Sequence, residues 1–376
     1  MKELQLVDLL GQYEKISGEV DKAVLDVIKS GAYINGPEVK NFQEELESYL
    51  GVKHVIPCAN GTDALQIALM SLDLKPGDEV ITPSFTYIAT AEVIALLGLN
   101  AVFVEVDPKT FTADPASIRK AITSKTKAII PVHLYGHSAA MEEILSIANE
   151  YGLAVVEDTA QAIGTDYRRS NGDWQKVGTI GTIGCTSFFP SKNLGCFGDG
   201  GAIFTNDDAL ASKIRMIANH GQSKKYYHDV IGVNSRLDSI QAAILRVKLR
   251  HFDSYLDARR KAAAHYTQEF DKIEEISTPN IAEWSNHGFH QYTIKVENGK
   301  RDELQAYLNE KGIPCNIYYP VPIHRQKGFE GKYELKESLD LTEELCQKVL
   351  SFPMHTELTE EQLSFITNSV KDFFKS

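Results

Sequence analysis

The stretch CTSFFPSKNLGCFGDGGAIFTN, residues 185–206, decides the fold. Cys185 to Phe189 is apolar and aromatic, with Ser187 as its one strong hydrogen-bonding side chain. Pro190 has no N–H to give to a ladder and stops the strand. Ser191, Lys192 and Asn193 follow, then Gly195, Gly198, Gly200 and Gly201. Ala202 to Thr205 is a second short apolar run, so the whole reads as strand, exposed turn, strand. Most lysines occupy solvated faces. One held in a glycine-rich turn between two buried strands sits at a cavity rim instead. Burial lowers a lysine's pKa, and the neutral amine attacks aldehydes, as a Schiff-base lysine must. A solvated surface turn is the other reading of the same residues.

AVVEDTAQAIG, residues 154–164, separates the two readings. Ala154 to Val156 is a buried strand that runs into Glu157 and Asp158. An acid at the end of an apolar strand is costly without a cationic partner. The protonated pyridine nitrogen of pyridoxal phosphate is such a partner. Around these two stretches stand NGTDAL, TPSFTYIATA, VEVD, PVHLYG, GDGGAIFTND, GVNSRLDSIQAAIL and YYPVPIH. With this ordered set the chain resembles the DegT/StrS-type sugar-nucleotide aminotransferases. The resemblance runs from GPEVKNFQEELESYLG to SFPMH near the C-terminus.

Bulk properties agree with a large globular protein. The chain has 376 residues, 43% hydrophobic and 24% charged. A formal net charge of −12 without a basic tract argues against a nucleic-acid or anionic-membrane partner. MKELQLVDLLGQYEK is too polar for a signal peptide, and no apolar run approaches the roughly 18 residues of a membrane span. Cys58, Cys185, Cys196, Cys315 and Cys346 are scattered and odd in number, so free thiols in a reducing cytoplasm are expected.

Taken in order, residues 18–30 and 37–50 have helical spacing. A strand at 53–58 leads to Asn60-Gly61-Thr62-Asp63, which opens a helix over 64–71. Free N–H groups at such a start bind anions, although a plain N-cap looks the same. Strands at 79–83, 101–106, 127–132 and 154–156 alternate with helices near 87–98, 114–122 and 139–151. This alternation predicts α/β with a mostly parallel sheet. A helix at 207–219, a long polar loop to Asn234 and one long helix over 236–261, with room for a bend, follow. Beyond about residue 262 a strand at 291–296 and helices at 301–311, 341–352 and 359–373 predict a small α+β domain.

The resemblance implies the aspartate-aminotransferase-like fold (fold type I of the pyridoxal-phosphate transferases). Residues 1–255 would form the large cofactor domain and 256–376 the small one. It implies that Lys192 binds the cofactor covalently and moves the proton, and that Asp158 keeps the pyridine protonated. Gln161 would bond the ring's phenolic oxygen, and Tyr87 would stack on the ring face. Gly61, Thr62 and Ser187 would cradle the phosphate. Asn234, in GVNSRLD, would reach the phosphate of the neighbouring subunit in a homodimer with shared sites. L-Glutamate would be the amino donor, and a nucleotide-linked keto sugar the acceptor.

The branch most similar in CTSFFPSKNLGCFGDGGAIFTND acts on UDP-2-acetamido-2-deoxy-3-oxo-D-glucuronate, for bacterial surface polysaccharide. A dTDP-3-keto- or 4-keto-6-deoxyhexose is the alternative acceptor, and the 3-keto branch also shares SKNLG but tends to carry Ala where this chain has Gly200. A uronate carboxylate suits Arg236, with Tyr318, Tyr319 and His324 in support. Relatives commonly have His where Tyr318 stands. An ion pair with Asp238 is the structural reading of Arg236, and core packing that of Tyr87 and Phe85. His133 and His137 are four apart at a strand end, so no metal site is expected, and Glu157 reads as a satisfied strand-end acid. Two rivals are a sugar dehydratase of the same fold, which would replace Lys192 by His, and a non-catalytic regulatory protein.

Overall fold

A computed structural model describes residues 3–375. Eight strands form its main sheet. Their spatial order is His54–Cys58, Gly201–Thr205, Ile183–Ser187, Ala154–Asp158, Thr126–Ile129, Glu79–Pro83, Asn100–Val104 and Tyr333–Leu335. Only Gly201–Thr205 runs against its neighbours. The other pairings are parallel, as the strand-helix alternation predicts. Glu79–Pro83 and Gly201–Thr205 are buried at every position, because helices cover both faces of such a sheet. The Gly61–Ser71 helix buries Ala64, Leu65, Ile67, Ala68 and Leu69 in the core that holds Ile183 and Ile203.

The C-terminal part builds a second core. Ile276–Ser277, Tyr292–Val296 and Val349–Phe352 form an antiparallel sheet. Tyr266, Phe270, Tyr292, Leu304, Phe352 and Ile366 pack together there. The helix Phe252–Phe270 joins the two cores: Phe252 and Leu256 pack on the large-sheet side, and Ala262, Tyr266 and Phe270 on the other.

Several expectations are adjusted. The first helix begins at Leu9, where Asp8 accepts the Gly11 N–H at 2.8 Å. The helix expected over 236–261 is two, Ser239–Arg250 and Phe252–Phe270, meeting at His251. The helix expected over 341–352 ends at Lys348, because Val349–Phe352 is wholly buried and pairs with Tyr292–Val296. The loop after His220 contains a small hairpin, Gln222–Lys224 with Tyr227–His228.

Candidate active site

Parallel sheets present their ligand crevice at the carboxyl ends of the strands. Asp158 and Ser187 are the last residues of their strands, and Tyr87 lies just past Pro83. A cavity of about 730 Å³ opens there. It brings together Gly61, Thr62, Tyr87, Asp158, Gln161, Ser187, Lys192, Tyr318 and Tyr319.

One end of the cavity suits an anion. Cys58 and Ser187 flank Gly201, each paired with it across the sheet. A Cβ on Gly201 would stand 2.5 Å from the Asn60 carbonyl, and one on Gly61 would stand 2.7 Å from Ser187 Cβ. Two glycines therefore let the start of the Gly61–Ser71 helix reach Ser187. Asn60 caps that helix by accepting the Asp63 N–H at 2.8 Å. The N–H groups of Gly61 and Thr62 have no acceptor among the described residues. Unspent N–H groups at a helix start beside a hydroxyl are a phosphate site.

Lys192 lies half-buried on the cavity wall, and among the described residues nothing bonds its amine. Burial lowers its pKa to about 8, with the Asp158 charge opposing the shift. Asp158 is 6% exposed. Thr90 Oγ1 donates to its Oδ2 at 2.8 Å, and the Ala160 N–H donates to its Oδ1 at 3.0 Å. A fixed buried carboxylate, a free amine of lowered pKa and an unspent anion site in one cavity match the ring nitrogen, aldehyde and phosphate of pyridoxal phosphate. The residues present fit that cofactor.

Gln161 Oε1 accepts the Tyr135 N–H at 2.6 Å, and its Nε2 donates to Tyr319 Oη at 3.0 Å. Burial pushes the Tyr319 phenol pKa up, so it stays neutral. Tyr87 is 58% exposed and lines the cavity, its ring centroid 6.3 Å from that of Tyr319. Phe85 is core, edge-on to Phe111, Tyr135 and Tyr319.

Asn234, Arg236 and His324 lie outside this wall. Ser235 is buried and accepts the Ala59 N–H at 3.0 Å, while Asn234 beside it is exposed. Arg236 is half-buried and forms no ion pair among the described residues, with Asp238 or otherwise. His324 is held behind the cavity. Its backbone N–H donates to Ser84 Oγ at 3.1 Å, and the same hydroxyl hydrogen-bonds its Nδ1 at 2.8 Å. Its Nε2 meets Glu343 at 3.1 Å.

His133 and Glu157 form a fully buried pair at 2.9 Å. Glu157 also accepts the N–H groups of Gly178, Ile180 and Gly181 at 2.8, 2.7 and 2.6 Å. His133 Nδ1 accepts the Ala139 N–H at 3.0 Å, which leaves Nε2–H for Glu157. Burial lowers the His137 pKa to about 4. Both histidines hold the backbone, and among the described residues no group of His, Cys, Asp and Glu side chains could ligate a metal.

Some lining residues carry no sequence signal. Thr90 sits within TPSFTYIATA but announces no role there. His290, Gln291 and Met354 arrive from the C-terminal part, and Leu6 and Val7 from the N-terminal segment. Arg259 is 3% exposed, and its Nη1 donates to the carbonyls of Phe289, His290 and Met354 at 3.2, 3.2 and 2.9 Å. It thereby ties two lining segments to the helix Phe252–Phe270.

Comparison with known proteins agrees with this geometry. The model of the DegT/DnrJ/EryC1/StrS aminotransferase family matches residues 14–371. A "Pleiotropic regulatory protein" of Geobacillus stearothermophilus is 47% identical over 98% of each chain. A "UDP-2-acetamido-2-deoxy-3-oxo-D-glucuronate aminotransferase" of Pseudomonas aeruginosa is 45% identical over 96% of this chain and 98% of its own. The crystal structure of S. venezuelae DesV, in complex with a ketimine intermediate, superposes with a TM-score of 0.95 at 39% identity over the whole of both chains. The fold is thus that of the aspartate-aminotransferase-like proteins. From the lysine turn to the anion cradle, the chain belongs to the DegT/DnrJ/EryC1/StrS aminotransferase family and is a pyridoxal-phosphate-dependent aminotransferase.

Proposed function

We propose that the enzyme transfers an amino group from L-glutamate to a nucleotide-linked keto sugar. UDP-2-acetamido-2-deoxy-3-oxo-D-glucuronate is the acceptor we favour, serving a bacterial surface polysaccharide in the cytoplasm. The single observation that carries the chemistry is the free Lys192 amine, with its pKa near 8, in the same cavity as the buried Asp158. Bound pyridoxal phosphate supplies an aldehyde and an electron-withdrawing ring. Lys192 Nζ is partly neutral near neutrality, so it takes up and returns a proton. The Asp158 carboxylate, fixed by Thr90 and the Ala160 N–H, would keep a proton on the ring nitrogen. Gly61, Thr62 and Ser187 would hold the phosphate, and Tyr87 would cover the ring face. Gln161, whose Nε2 donates to Tyr319 Oη, would be the donor to the phenolic oxygen. The relative from Pseudomonas aeruginosa supports the acceptor. The relative named as a regulatory protein favours the non-catalytic reading, but a regulator has no need of Lys192, Asp158 and Gln161 in one cavity. The five cysteines are unpaired and buried, which suits a reducing compartment.

A panel of keto-sugar nucleotides with glutamate, followed by mass spectrometry of the amino sugar, tests the substrate. The UDP-3-oxo-glucuronate is expected to react at least about tenfold faster, in kcat/KM, than a dTDP-3-keto-6-deoxyhexose. Equal rates, or preference for the dTDP sugar, would remove the uronate.

We further infer a homodimer in which Asn234 serves the phosphate of the partner's site, and we assign Arg236 to a substrate carboxylate. Asn234 is exposed, and its loop carries Tyr226, Tyr227 and Ile231, which are 80%, 64% and 87% exposed. Apolar side chains clustered on one exposed loop suit burial against a second copy. Mixing Lys192→Ala with Asn234→Asp, each inactive alone, puts both lesions into one site of every mixed dimer. The other site stays intact, so about a quarter of wild-type activity should return on random exchange. Exchange confirmed by mass without activity would show that Asn234 acts within its own chain.

A further inference from the structure

The turn that carries Lys192 is held from outside at two places: Asn193 Nδ2 donates to Gly288 O at 3.0 Å, and one helix supports the second half. Its first half also closes on itself: Lys192 N–H donates to Phe189 O and Cys196 N–H to Phe188 O, both at 2.8 Å. The two legs lie so close that a Cβ on Gly195 would stand 2.3 Å from Pro190 O. The second half leans on the helix Ser239–Arg250. Lys248 Nζ donates to Gly195 O at 2.7 Å, and its ammonium sits 5.3 Å from the centroid of the Phe197 ring. Gln241 Oε1 accepts the Phe197 N–H at 2.8 Å, and its Nε2 donates to Phe197 O at 3.4 Å.

Lys248 is an unusual choice for its place. It is 2% exposed, and among the described residues it has no carboxylate partner. A buried unpaired cation is costly, so burial lowers the Lys248 pKa to about 8 and its charge is full only below that, while a methionine would fill the same space without it. What the ammonium alone offers is a charge-assisted bond to a carbonyl.

We propose that Lys248 and Gln241 form a clamp that positions the Lys192 turn and keeps its amine in the cavity rather than in solvent. They are positioning residues, since neither lines the cavity. The proposal rests on Lys192 as the reactive amine. It predicts that loosening the clamp solvates Lys192 and moves its titration toward that of an ordinary lysine. The charged and titratable neighbours are Asp158 and His290 about Lys192, and Cys196 and Arg259 about Lys248.

Competitive acetylation of the full-length chain, stripped of cofactor, tests this without any turnover. The Lys192 peptide is followed by mass spectrometry from about pH 6 to about pH 10. The wild-type midpoint is expected near 8. Lys248→Met and Gln241→Leu should each raise it by about one unit, which is about tenfold less neutral amine at pH 7. Lys248→Arg, which keeps charge and donor, should stay close to wild type. Gln241→Leu removes no charge, so a shift there cannot come from the field of Lys248. It also carries the test if Lys248→Met does not fold. Unchanged midpoints in both variants, whatever their melting temperatures, would overturn the clamp. A shift in Lys248→Met alone would overturn it too, in favour of a purely electrostatic effect. Should wild-type Lys192 form no borohydride-reducible bond with pyridoxal phosphate, the assigned chemistry fails, while the acetylation still reads the clamp.

Discussion

Lys192→Ala is expected to fold normally, to lose the yellow absorption band that borohydride removes from the wild type, and to lose turnover. The loss should be at least about ten-thousand-fold, because in the proposed mechanism one side chain would be both the cofactor's covalent anchor and the proton carrier. The fold should survive, since the Lys192 amine has no partner among the described residues. Removing it leaves no buried group unsatisfied, so stability should change by about 1 kcal/mol or less. Absorption spectroscopy, mass spectrometry after borohydride and a glutamate-dependent assay read the three parts separately. A Lys192→Ala protein that still transaminates at the wild-type rate would end the assignment.

Asp158→Asn should keep the cofactor and lose the chemical step. The amide is nearly the same shape. Its oxygen can still accept the Ala160 N–H, and Thr90 can rotate its hydroxyl to accept from the amide nitrogen. What it lacks is the negative charge that, in the proposed mechanism, would hold a proton on the ring nitrogen. Losing a fixed charge at the reacting centre costs on the order of a thousandfold or more in rate. Single-turnover mixing with glutamate isolates this step from binding. Near-normal rates in Asp158→Asn would place the ring's partner on another residue.

The parts of the site visible in the sequence are those made locally. A proline, a lysine and four glycines within one short stretch can form little other than a tight turn between strands. Apolar runs that end on Ser187 and Asp158 place these two at strand ends, where a parallel sheet has its crevice. His290, Gln291, Leu6 and Val7 were invisible because only tertiary folding brings them to the cavity. His324 shows the opposite failure. Its motif neighbours the cavity residues Tyr318 and Tyr319, yet Ser84 and Glu343 occupy its ring. The helix break at His251 has no glycine or proline to mark it. Val349–Phe352 resembled the end of a helix because a short, wholly buried strand has no alternation to display.

The last strand of the main sheet has a consequence for how the chain comes off the ribosome. Tyr333–Leu335 pairs with Asn100–Val104, far back in the sequence. Until those three residues emerge, the apolar Asn100–Val104 presents an open row of N–H and C=O groups, a template for pairing between nascent molecules. Contacts of such long range are also slow to form, because a long loop must close first. The finished strand blunts the edge, being short and followed by Lys336. Completion of the sheet therefore waits until Tyr333–Leu335 has been made, and the interval before it is when the polypeptide most needs protection from its own kind.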